Sequence, residues 1–124
     1  MFLVFFAFPF TTAPTHALSN DPDAQLRTFA ACVGRLSAVL EHEWNNIGAV
    51  SSETALKRDA AAEIVAAIVS EERSRDILEW RNAAKLAQHR LLSRALTTHD
   101  AAEAAWALQQ AEHYETACAS LLIL

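Results

Sequence analysis

The stretch DPDAQLRTFAACVGRLSAVLEHEWNNIG, residues 21–48, carries apolar side chains at Leu26, Phe29, Val33, Leu36, Leu40 and Ile47. The steps alternate between three and four residues, with one gap at Glu43, which is the period of an amphipathic helix. Its start is written in Asp21-Pro22, an N-cap acid followed by proline at the first helical position. Its end is written in Asn45-Asn46-Ile47-Gly48, where glycine supplies a left-handed stop. A helix over about 22–46 follows.

Working outward, the rest of the chain has the same character. Only two glycines and three prolines occur in 124 residues. Alanine, leucine, glutamate and arginine dominate, the set that forms helices most readily. Ser51-Ser52-Glu53 opens a second helix over 52–69, with Leu56, Ala60, Ile64, Ala67 and Ile68 expected inward. A single helix from 53 to 97 would be about 67 Å long, so a turn is placed within 70–76. The third helix, 76–97, turns Ile77, Trp80, Ala84, Ala87, Leu91 and Ala95 inward and Arg81, Lys85, Gln88 and Arg94 outward. Asp100 and Glu103 have capping-box spacing and open a fourth helix over 101–121. The expected fold is all-α, an up-down four-helix bundle, and residues 18–124 form one helical domain.

Residues 2–10, Phe-Leu-Val-Phe-Phe-Ala-Phe-Pro-Phe, are an uninterrupted apolar run, followed by small residues that end in Thr15-His16-Ala17. This pattern reads as a signal peptide over 1–17, although no Lys or Arg precedes the run. The run is too short for the roughly 20 residues that span a bilayer. The expected location is periplasmic or secreted, with no membrane insertion after cleavage. A buried N-terminal strand or helix is the competing reading.

Two cysteines, Cys32 and Cys118, remain in the mature chain. Helices 1 and 4 run antiparallel as neighbours in such a bundle, which brings both cysteines toward one end. A disulfide between them is expected in an oxidising compartment. It closes a loop of about 86 residues, worth roughly 4 kcal/mol if it acts mainly by restricting the unfolded chain. Two buried free thiols are the alternative.

The formal charge of −5 lies wholly beyond residue 17, with ten basic residues scattered among fifteen acidic ones. No basic stripe suits phosphate backbones, so nucleic acid is excluded as a partner. No catalytic residues are assigned: a nucleophile elbow is absent, and few loops exist on which to build an oxyanion hole. No cofactor is expected. Glu112, His113 and Glu115 are a weak metal arrangement that surface charge pairing explains equally well, so no metal site is assigned.

The candidate binding patch comprises Gly34, Arg35, Ala38, His42, Glu43 and Trp44. Ala31, Gly34, Arg35, Ala38 and His42 fall on the outward side of helix 1, where small side chains allow a partner's backbone to approach closely. Glu43 falls inward, either paired with Arg81 or Lys85 or standing in water at the bundle mouth. Trp44 flanks the apolar stripe beside it. These features suit a non-enzymatic module that binds another periplasmic protein, as adaptor or inhibitor, or that self-associates. A small-ligand or metal-binding bundle is the alternative.

The run Cys32-Val-Gly-Arg-Leu-Ser-Ala38 with Glu41-His42-Glu-Trp44 resembles a segment of small, uncharacterised secreted proteins of alphaproteobacteria. The resemblance covers the first mature helix and, more loosely, the helix with the second cysteine. It implies an exported, disulfide-linked helical domain and no particular functional residues.

Overall fold

The computed structural model describes residues 20–122; the apolar run and cleavage site expected over 1–17 lie outside them. Four helices follow in order: α1 Pro22–Ile47, α2 Ser52–Ile68, α3 Ser74–Thr97 and α4 Ala101–Ser120, with a 3-10 turn at Glu71–Arg73 between α2 and α3. No strand occurs among the described residues. The protein is an all-α bundle.

Local chemistry sets the helix ends. The Asp21 carboxylate accepts from the Asp23 backbone N–H at 3.2 Å with Pro22 inside the first turn. Gly48 stops α1 at φ 75°, the left-handed conformation that favours glycine. The Ser51 hydroxyl accepts from the Thr54 N–H at 3.2 Å and starts α2. Asp100 accepts from the N–H groups of Ala102 and Glu103 at 2.9 and 3.2 Å. The capping box expected there is only half formed. The Asp100 N–H donates to the Thr98 hydroxyl at 3.4 Å, and Glu103 binds that same hydroxyl and Arg94 instead.

The tertiary arrangement departs from a square bundle with a shared centre. α1 is the axis: it packs on α2, α3 and α4, most extensively on α3, whereas α2 makes no comparable packing with α3 or α4. Cys32, Val33, Gly34, Leu36, Ser37, Ala38, Val39 and Leu40 are all buried, more than one side of a helix can supply. α1 and α3 run parallel, as the pairs Asp23–Arg73 and Glu41–Lys85 show.

That closeness corrects the outward assignment of Gly34 and Ala38, whereas Ala31 is only partly buried and borders a cleft toward α4. A Cβ on Gly34 would stand 3.0 Å from the Lys85 backbone nitrogen and nearer still to the Arg81 carbonyl oxygen. Ala30, Gly34 and Ala38, at four-residue spacing, form the row on which α3 lies, and Ala38 is 0% exposed. Gly34 and Ala38 of the expected strip do admit a close backbone, but it is the protein's own, and Ala30 rather than Ala31 completes the row. Gln88, expected outward on α3, is also wholly buried, while Leu56, expected inward on α2, is 62% exposed. Thr54, Ala61 and Val65 face α1 in its place.

The core is uneven along the axis. Toward one end Leu26, Phe29, Val33, Leu36, Val65 and Leu122 pack together with Ile64, Ile77 and Trp80 against them. Cys32 and Cys118 are bonded within this cluster, with Cα atoms 5.4 Å apart. Toward the opposite end Val39, Leu92 and Ala111 form a smaller buried cluster with Leu91 against it, and Ala38, Leu40 and Ala107 are buried nearby.

Candidate functional site

Because α2 and α3 pack on α1 and not on each other, a groove remains between them, floored by the C-terminal half of α1. It is a cleft of about 360 Å³ lined by Leu40, Glu41, Trp44, Arg58, Arg81 and Lys85, with Ser37 and Asn45 at its floor and mouth. The Ser37 hydroxyl is turned back onto the Val33 carbonyl at 2.7 Å. The floor the groove presents is therefore chiefly Leu40 and the Trp44 indole.

Three cations border this groove in a protein of net charge −5. Lys85 pairs with Glu41 at 2.5 Å and Arg58 with its neighbour Asp59 at 2.9 Å. Arg81 has no ion-pair partner among the described residues. Both pairs are solvated, weakly held and free to exchange partners. The groove can therefore take an anionic group beside an apolar one.

At the adjoining end four large apolar side chains are exposed. Trp44 is 63% exposed and Ile47 76%, and both lie where α1 runs into the loop before α2. Val50 in that loop and Leu56 in the second turn of α2 are exposed as well.

The six residues of the sequence-derived patch do not form one outward surface. Gly34 and Ala38 are covered by α3. Arg35 turns toward α4, its guanidinium 3.8 Å from the centroid of the Tyr114 ring. His42 is half-buried, with its ring nitrogen 3.2 Å from the Asn46 amide. Glu43 pairs with neither Arg81 nor Lys85; its carboxylate accepts from the Ser51 N–H at 2.7 Å and so ties α1 to the start of α2. Only Trp44 of the six lines the groove, together with Glu41 from the same motif. The other cationic walls, Arg58, Arg81 and Lys85, stand on two further helices. No signal in the sequence joins them, because their meeting depends on α2 and α3 straddling α1.

Glu115 on α4 is half-buried within reach of the charge on Glu43 of α1. Burial raises its pKa above the ordinary glutamate range, and the nearby charges of Glu43 and Glu112 raise it further against a smaller opposing effect of Lys57. Among the described residues no three His, Cys, Asp or Glu side chains gather as a metal ion would require. No helix among them is long and apolar enough to cross a membrane. A disulfide-linked bundle is compatible with a place outside the cytoplasm. Comparison of the chain with models of known protein families, with curated proteins and with solved structures finds no match.

Proposed function

We propose that this chain is a periplasmic or secreted, non-enzymatic module that binds another protein, as an adaptor or inhibitor, across the end where α1 meets α2. The observation that carries the reading is the exposure of Trp44, Ile47, Val50 and Leu56 beside a groove bordered by Arg58, Arg81 and Lys85. Exposed apolar patches rimmed by polar groups mark interaction surfaces, and Trp and Arg dominate the energetics of interfaces. The partner segment is apolar where it meets Trp44 and Ile47, and acidic where it enters the groove. The apolar run over residues 2–10 supports export, as does the resemblance of α1 to small secreted proteins.

The competing small-ligand reading draws on the same groove. Its support is partial, because Glu43, one of the two residues on which it rested, is engaged by Ser51 and lies outside the lining.

The test is affinity capture from periplasmic extract by the oxidised protein and by the Trp44→Ala and Arg81→Glu variants, with circular dichroism confirming that both variants fold. A partner retained by the parent and lost by both variants is the expected result. Retention of an identical set of proteins by all three would overturn the reading.

A further inference from the structure

A second cleft lies on the other side of α3, between α3 and α4, and its chemistry centres on Arg35. The Arg35 guanidinium is held over the Tyr114 ring and donates through Nη1 to the Gln88 side-chain oxygen at 3.0 Å. Gln88, wholly buried, is fixed in turn by donating from Nε2 to the Ala111 carbonyl at 3.0 Å. One hydrogen bond and one ring face thus orient a half-buried cation that has no carboxylate partner among the described residues. A desolvated charge without a counter-charge is unfavourable. Burial accordingly lowers the pKa of Arg35, offset in part by Tyr114.

The guanidinium borders a cleft of about 320 Å³ whose other walls include Arg90, Leu91, Trp106, Gln110 and Tyr114. Arg90 is exposed and likewise has no ion-pair partner among the described residues. The Trp106 indole is 51% exposed. Two unpaired guanidinium groups, one of them preoriented, therefore stand beside an open aromatic face and an apolar wall. The volume lies at the small end of the range for ligand sites.

We propose that this cleft binds a small carboxylate carrying a planar apolar body. The carboxylate accepts from Arg35 and Arg90, since guanidinium donors match carboxylate oxygens in pairs, and the body lies on Trp106 and Leu91. An inorganic anion would satisfy the arginines and leave those walls uncovered. The site lies between α3 and α4, away from the α2–α3 groove, and stands or falls independently of the protein-binding reading.

The test is a titration of the oxidised, uniformly 15N-labelled protein with benzoate, with benzamide and with inorganic phosphate at matched ionic strength. Benzoate is expected to shift the Trp106 indole N–H and the Gln110 side-chain amide saturably, while benzamide and phosphate leave them in place. Arg90→Ala, which removes an exposed side chain with no structural partner, is expected to weaken benzoate binding by about tenfold, the worth of a charge-assisted contact. Arg35→Met should abolish binding, but it also strips Gln88 of a partner and can unfold the protein, so Arg90→Ala and benzamide are the deciding arms. Absence of a saturable shift, an unchanged affinity in Arg90→Ala, or equal binding of benzamide or phosphate would each overturn the proposal.

Discussion

Gly34 shows how much one absent side chain can govern. In a helix interior glycine is less favourable than alanine by about 1 kcal/mol, so an outward Gly34 would gain from replacement. In the structure an added methyl meets the backbone of Arg81 and Lys85, which cannot rotate away as a side-chain tip would. Gly34→Ala is therefore expected to lower unfolding free energy by about 1–3 kcal/mol despite its better propensity, as overpacking does. Gly34→Leu is expected to separate α1 from α3 altogether. Denaturant unfolding of the alanine variant checks the sign, and a stabilised Gly34→Ala would mean that α3 does not lie on this row. The pattern Ala30, Gly34, Ala38 is visible in the sequence. What it admits is not, because small residues permit close approach without naming the approaching helix.

At the scale of elements, the packing of α1 near α4 brings together acidic groups, Glu43 and Glu115, that the linear chain keeps apart. Glu115 of α4 feels Glu43 of α1 and its own neighbour Glu112, and its folded pKa lies above the unfolded value. A carboxyl raised in this way binds its proton more readily when folded. Its favourable contribution is full below the unfolded pKa and is lost as pH rises through the folded one. At neutral pH an ionised Glu115 therefore weakens the fold. Glu115→Gln is expected to raise the melting midpoint near pH 7, with the gain shrinking as pH falls and vanishing by about pH 3, where the parent carboxyl is protonated. Melts of both proteins across that range test it; a gain independent of pH would assign the effect to packing.

The whole molecule is stapled at one end and thinly packed at the other. The bond between Cys32 and Cys118 joins α4 to the axis within the larger core cluster, where α4 otherwise touches α1 only lightly. The chain-entropy contribution of roughly 4 kcal/mol for such a loop corresponds to a fall in melting midpoint of roughly 15–30 °C on reduction for a domain of this size. Thermal melts with and without reductant measure it. Oxidised protein that retains two titratable thiols under denaturing conditions would refute the pairing. Trp44 and Ile47 are exposed where α1 runs out at the other end, and there a partner can bury apolar surface without opening the larger core cluster.

What the sequence by itself determined were the properties that depend on neighbours within a turn or two. Helix class and helix ends follow from caps such as Asp21, Gly48, Ser51 and Asp100, whose hydrogen bonds close within a single turn. The cysteine pairing was legible as an expectation, since antiparallel first and last helices bring both cysteines toward one end, but two free thiols fitted the same sequence until the structure placed the pair in contact. Only the tertiary structure decided which faces are inside. Apolar periodicity locates a stripe, but α1 is enclosed by three helices, so Ala30, Gly34, Ser37 and Ala38 are buried without adding to that stripe. Gln88 is hidden because Arg35 and the Ala111 carbonyl satisfy its amide, a pairing of three helices that no local pattern records. The groove beside Trp44 has the same origin: it exists because α2 and α3 share α1 and leave the space between them open.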